Sequence, residues 1–211
     1  MQLLLLQALE LLVARGELAE ARAWWERFTA GADPEDPQAI MVVRATEAML
    51  LRAEGRPRDA LAAAARAFDA HDRVGLSALM TKYAVGELLE SALALGDFAK
   101  AEEVLAVLDE LRPGELTPLY RGLRARFRGR LGTGPAAAAD FREAEEVYES
   151  LGTPFLLAVA QLEHAESSES SGRSDEAEAL RAAARAVFER LGAAPWLERA
   201  NRTPATEGVP A

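Results

Sequence analysis

The stretch GRSDEAEALRAAARAVFERLG, residues 172–192, holds the pattern that decides the fold. A glycine opens it and Ala177 follows five positions later. Ala177, Leu180, Ala184, Val187, Phe188 and Leu191 then recur at three and four residues, the spacing that gathers side chains on one face of an α-helix. Glu176, Arg181, Arg185 and Glu189 fall on the opposite face. A glycine ahead of such a helix readily takes the left-handed conformation that ends the helix before it. A small alanine early in the next helix lets two backbones approach closely. The stretch therefore reads as the turn and second helix of a helix–turn–helix unit.

The same signature occurs four more times upstream. Gly16, Gly55, Gly96 and Gly132 lead to Gly172 in steps of 39, 41, 36 and 40 residues. Each has an alanine five residues on: Ala21, Ala60, Ala101 and Ala137. Twelve residues after the five glycines stand Phe28, Ala67, Leu108, Ala144 and Ala184, all apolar. A period near 40 marks helical units that stack so that each buries the face its neighbour leaves open.

The predicted pairs are Gln2–Arg15 with Glu17–Ala30, Gln38–Glu54 with Pro57–Asp72, and Leu76–Leu95 with Phe98–Leu111. Leu119–Leu131 with Pro135–Leu151 and Pro154–Ser171 with Ser174–Leu191 complete the set. Pro57, Pro135 and Pro154 sit where proline suits a first helical turn. Gly31–Pro37 and Arg112–Pro118 are loops, and Pro195–Ala200 caps the last pair through Trp196 and Leu197. The expected fold is all-α: a right-handed α-solenoid of about five antiparallel helix pairs, ten major helices and no sheet. Residues 1–200 form this domain, and residues 201–211, with two prolines and little apolar content, are expected to be a disordered tail.

Composition agrees and narrows the chemistry. Of 211 residues, 45 are alanine and 31 leucine, a balance suited to closely packed helices. There is no cysteine, which removes disulfides, thiolate metal sites and cysteine nucleophiles. Two histidines, His71 and His164, are too few for a multi-histidine metal centre. The net charge of −10 disfavours nucleic acid and anionic membranes as partners. The most apolar segment, Leu3–Ala14, is interrupted by Gln7 and Glu10 and is too short to span a bilayer. It also lacks the basic start and cleavage site of an export signal, so a cytoplasmic location is expected.

The glycine–x4–alanine turns resemble the tetratricopeptide repeat. A large residue nine positions after the glycine fits at Trp25, Leu105 and Phe141 but not at Ala64 or Arg181, and the family's closing proline is recognisable only as Pro113. The segment from Leu119 to Ala200, with LGTPFLLAVAQLEHAE (Leu151–Glu166) and the ending WLERA, is similar to the C-terminal helical region of large bacterial signalling proteins. Those combine an adenylate/guanylate cyclase or DNA-binding regulator domain with a signal-transduction ATPase module. The resemblance implies a regulatory or interaction tail and brings neither the cyclase nor the ATPase activity into this chain.

No stretch carries a catalytic or cofactor motif. The glycines of GRLGTGPAAAAD (Gly129–Asp140) lack the lysine of a phosphate-binding loop. Glu163, adjacent to His164, points about 100° away from it on a helix, so the two do not read as an acid–base pair. Acidic runs at Glu143–Glu149 and Asp175–Glu178 read as solvated helix faces. The local anomaly is basic: Leu111–Leu131 holds six arginines against one acid, between flanking segments that are net negative. Arg121, Arg124 and Arg128 share a face beside the apolar Leu119, Leu123, Phe127 and Leu131. Three readings stand: pairing with the acidic stretches Glu143–Glu149 and Glu163–Glu169; a docking face for an acidic peptide or phosphate-bearing ligand, since guanidinium forks suit carboxylate and phosphate; or nucleic acid, which the surrounding charge opposes.

The function expected from these features is a non-catalytic scaffold for protein–protein interaction or regulation, needing no cofactor or metal. The alternative is a sensor that binds a small molecule or acidic peptide in its concave groove. First helices of each pair should line that groove, which nominates Tyr83, Glu87, Arg121, Arg124, Arg128, Gln161 and His164 as binding residues. Leu3, Leu4, Leu5, Leu6, Leu9, Leu11 and Leu12 cover more than one face of the first helix, so that end is expected to be covered by an upstream unit or by self-association.

Overall fold

The computed structural model of the chain describes residues 2–76, 78–112 and 114–202. Twelve helices and no strand are present among them. They are α1 (Gln2–Arg15), α2 (Leu18–Thr29), α3 (Pro37–Ala53), α4 (Pro57–Phe68), α5 (His71–Val74) and α6 (Leu79–Ala94). There follow α7 (Phe98–Asp109), α8 (Pro118–Leu131), α9 (Gly134–Ser150), α10 (Pro154–Ser170), α11 (Ser174–Leu191) and α12 (Ala194–Asn201).

The helix starts have local causes. Asp36 accepts the Gln38 N–H at 2.9 Å ahead of Pro37, and Asp97 accepts the Lys100 N–H at 3.0 Å, satisfying donors that a helix N-terminus leaves open. Thr117 does the same for Tyr120 beside Pro118. The second helix of the second predicted pair ends at Phe68, four residues earlier than its periodicity suggests. There the His71 ring stacks on Phe68 and its Nδ1–H donates to the Phe68 carbonyl at 2.7 Å, closing α4 and opening the short α5. Asn201 belongs to α12, one residue into the segment expected to be a tail. The rest of that segment beyond Arg202, and Pro113, lie outside the described residues.

Four of the five signature glycines, Gly16, Gly55, Gly96 and Gly172, have φ between 69° and 81°. Gly132 departs from the pattern, with φ −82°; there Gly134 takes the positive φ. What Gly132 needs is room, because a Cβ on it would lie 3.1 Å from the Arg128 carbonyl oxygen. Ala21, Ala60, Ala101, Ala137 and Ala177 are all fully buried. All five therefore face the interior, where a small side chain is accommodated.

Each long helix packs against the next, and α1, α3, α6, α8 and α10 also form a row in which each touches its successor. The largest apolar cluster joins α3, α4, α6, α7 and α8 through Leu88, Leu105, Tyr120 and Phe127. Burying such a side chain contributes roughly 1.5–3 kcal/mol. A second cluster ties α10, α11 and α12 through Leu162, Phe188 and Trp196. Two predicted faces need correction. Arg181, assigned to the solvent side of α11, is buried, ion-paired with Glu169 and donating to the Ala200 carbonyl. Leu151, which the spacing of Phe141, Ala144, Val147, Tyr148 and Leu151 places on an apolar stripe, is exposed.

The last helix returns to the first. α12 packs on α1, and the Arg15 Nε–H donates to the Leu191 carbonyl at 3.2 Å. Pro195 presses on Gly16, where an added Cβ would sit 3.1 Å from the ring. Part of the apolar surface of α1 is thus covered by the chain's own C-terminal helix. Leu6 and Leu9 are buried inside, whereas Leu4 is 69% exposed and Leu11 is also exposed. The side chains of Leu3 and Leu5 lie outside the described residues.

Candidate functional site

Helical spacing decides which residues face the interior. On α6, Tyr83, Gly86, Glu87 and Glu90 share one face; on α8, Leu119, Leu123 and Arg126 do; on α10, Phe155, Leu156 and Val159. With Glu10, Val13 and Ala14 of α1, Met49 and Arg52 of α3, Lys82 of α6, Tyr148 of α9 and Trp196 of α12, they line a partly open cavity of about 180 Å³. The walls are mainly aliphatic and aromatic. Glycine at position 86 leaves the middle of α6 without a side chain on this face.

A ladder of ion pairs forms the floor. The Arg52 guanidinium donates two bonds to Glu87, at 2.8 and 2.9 Å. Arg126 donates two to Glu163, at 2.6 and 2.7 Å, and a further one to Glu90. Arg130 reaches Glu90 at 2.7 Å, and Arg199 holds Glu166 through bonds of 2.9 and 2.6 Å. The sign alternates by helix: positive on α3, negative on α6, positive on α8, negative on α10, positive on α12. The hydrogen-bonded partners stand 33 to 40 residues apart in sequence. Two-pronged guanidinium–carboxylate bonding satisfies both charges, and without it burying them would cost several kcal/mol per ion.

The electrostatics follow from this geometry. Burial works against an ionised Glu90, but Arg126, Arg130 and Arg52 outweigh it and hold the carboxyl well below the usual carboxylate range. Burial likewise opposes the Arg126 charge, and Glu163 and Glu90 more than offset it. Burial pushes the Tyr148 phenol up to about 12. Glu10 behaves differently. Its Oε2 accepts the Tyr83 hydroxyl at 2.9 Å, yet burial raises its pKa against that bond, and the Glu87 charge raises it further. Among the described residues no cationic group lies within ion-pairing distance of Glu10.

Of the residues nominated from sequence, Tyr83 and Glu87 line the cavity. Arg121, Arg124 and Arg128 do not: they point to neighbouring helices, Arg124 toward Asp109 at 3.5 Å, Arg128 pairing with the same carboxylate, and Arg121 toward Glu143 at 3.7 Å. Gln161 is half-buried on α10, outside the cavity wall. His164 is buried beneath α9, where its Nδ1–H donates to Glu145 at 2.8 Å and its ring stacks on Phe141; its Nε2 has no hydrogen-bond partner. It ties two helices together and has no access to the cavity. Glu145 and Glu176, read as solvated, are engaged by His164 and by Arg173.

The inward-facing arginines are Arg126 and Arg130 instead. The signal for them lies in the sequence: Leu119, Leu123, Arg126 and Arg130 recur at i, i+4, i+7 and i+11, which places two charges on an apolar stripe. Among the described residues no group of three histidine or carboxylate side chains is arranged to hold a metal ion, and no helix is long and apolar enough to cross a membrane. Comparison of the chain with protein-family models, with curated proteins and with solved structures finds no match to any of them.

Proposed function

We propose that this chain is a non-catalytic regulatory module that senses a small molecule in its interior. We read its helices as a right-handed solenoid of about five antiparallel pairs, resembling tetratricopeptide repeats and working in a cytoplasmic bacterial signalling or transcription-control system. The observation that carries the functional reading is the cavity of about 180 Å³ among α1, α3, α6, α8, α10 and α12. An apolar cavity of about 150 Å³ accommodates benzene, so this one has room for a ring-sized molecule. The ion-pair ladder supports the repeat reading, because its 33- to 40-residue steps match the spacing of the signature glycines. It also counts against an acidic peptide in the interior, since Arg52 and Arg126 already hold internal carboxylates.

The test is a screen of ring-sized compounds by ligand-observed NMR, run on the wild type and on Gly86→Leu. A Cβ at position 86 meets Leu123 at an ordinary 3.5 Å, so the longer side chain projects into the cavity. Hits that disappear in the variant support the reading. A screen whose hits are the same in both proteins, or that yields none, overturns it.

A second reading, a scaffold for a protein partner or for self-association, draws on Leu4, Leu11 and Trp24, which are large, apolar and exposed. Sedimentation of wild type beside Leu4→Glu/Leu11→Glu tests the self-association form of it. A concentration-dependent dimer that the variant abolishes is the supporting result.

A further inference from the structure

Acids and bases around the cavity are equal in number, with Glu10 and Lys82 outside the ladder, but Glu10 forms no ion pair among the described residues. Four arginines of the ladder, Arg52, Arg126, Arg130 and Arg199, meet four glutamates, Glu87, Glu90, Glu163 and Glu166. The next acid on the same wall, Glu10, stands outside those pairs. Its single polar bond is the one from Tyr83 to Oε2, which leaves Oε1 with no donor among the described residues. Lys82, also on the wall, lies over the Tyr120 ring, 5.5 Å from its centroid.

We propose that the cavity binds a small organic cation, an ammonium head on an apolar body about the size of one aromatic ring, with Glu10 as its counter-ion. The proposal rests on the small-molecule reading above and adds the chemical class. Three features select a cation over the other classes. An anion would need a free cation on the wall, but Arg52 and Arg126 each give two bonds to an internal carboxylate and would have to release it, and Lys82 is engaged, in part over the Tyr120 ring. A neutral polar molecule would leave the Glu10 charge uncompensated. The lining that Glu10 shares includes the aromatic rings of Tyr83, Tyr148 and Phe155 together with alkyl groups, a surface suited to a cation with an apolar body. The raised pKa of Glu10 agrees: burial and the nearby Glu87 oppose its ionisation, and a bound cation would reverse that.

The experiment compares three probes of one shape by titration calorimetry on the full chain: benzylammonium, benzyl alcohol and benzoate. The expected order is benzylammonium tightest, benzyl alcohol weaker by about tenfold or more, in line with a charge-assisted hydrogen bond, and benzoate weakest. In Glu10→Gln, with folding checked by circular dichroism, benzylammonium should fall to within about twofold of benzyl alcohol, while benzyl alcohol itself is unchanged. Should Glu10→Gln fail to fold, Tyr83→Phe, which keeps the carboxylate and removes one donor to it, should retain the cation preference. Equal affinity for the cation and the alcohol in the wild type, or tighter benzoate, overturns the cation inference and leaves the small-molecule reading standing if either probe is lost in Gly86→Leu. Failure of all three probes overturns the cation inference alone, and the compound screen then decides the broader reading.

Discussion

Arg126 and Arg121 stand five residues apart on α8 and meet different surroundings. Arg126 is 7% exposed and grips carboxylates from α6 and α10. Arg121 keeps about half its side chain in water, and its nearest carboxylate is 3.7 Å away. The same contrast runs along the helix: Arg130 joins the inner ladder, and Arg124 and Arg128 share Asp109 outside. A count of arginines on a helix therefore says little about what they do. The apolar stripe decides it, because a charge carried on that stripe is forced to find a partner inside.

The largest expected effect breaks the inner face. Arg126→Met leaves Glu163 with Arg130 at 3.4 Å and Arg199 at 3.8 Å, and should cost about 3–5 kcal/mol, as does removing one partner of a buried pair. For a domain of this size that is a fall in Tm of about 10 °C, read by circular dichroism. Adding Glu163→Gln to it should recover part of the loss, and a coupling below about 0.5 kcal/mol would show that the two residues act independently.

Glycines sharpen the comparison on the same helix. A Cβ on Gly129 would lie 2.8 Å from the Phe141 ring, and one on Gly122 equally close to Tyr148. Gly129→Ala should therefore destabilise by about 1–3 kcal/mol in urea unfolding. Gly86→Ala, with space beside it, should do the reverse and gain up to about 1 kcal/mol of helix propensity.

Glu90 and Glu10 separate with pH. Glu90 has a folded pKa held below its unfolded value, so its contribution is full above the unfolded pKa and is lost as pH falls through the folded one. Glu10 has a raised folded pKa, so its neutral form contributes below the unfolded pKa and that contribution is lost as pH rises through the folded one. Glu90→Gln should thus be less stable than wild type at pH 7, with the gap narrowing toward acid. Glu10→Gln should match the wild type near pH 4 and exceed it at pH 7. Urea midpoints at the two pH values check both signs. The smallest effect belongs to the outer face: Arg121→Ala should stay within about 0.5 kcal/mol, as an exposed, loosely paired charge does.

The helices were legible in the sequence because their causes are local. Pro57, Pro135 and Pro154 each stand in the first turn of a helix, and Gly16, Gly55, Gly96 and Gly172 take the positive φ their turns require. The alanines five residues on were legible as a recurring inward position, and all five are buried. The interior was half legible. Tyr83 and Glu87 fall on the predicted inner face, and the arginines chosen on α8 were one helical face away from the inner ones. Composition pointed to the basic cluster, whereas position on the apolar stripe selects Arg126 and Arg130. The partners of these arginines lie more than 30 residues away in sequence, so helical periodicity could not pair them. The contact of α12 with α1 is longer-range still, and nothing in Trp196 or Gly16 alone announces it.

That contact makes the molecule a hoop. In an open stack, widening at one joint is absorbed by free ends; in a hoop it is carried round the circumference to the weakest joint. The circle closes at a seam where α1 meets α12 and the end of α11, through Pro195 against Gly16 and the Arg15–Leu191 bond. Glu10 and Trp196 stand on opposite sides of the same seam, both on the cavity wall. A molecule bound there as proposed would act as a rivet or a wedge at that closure, and the gap between the two helices would gauge its presence.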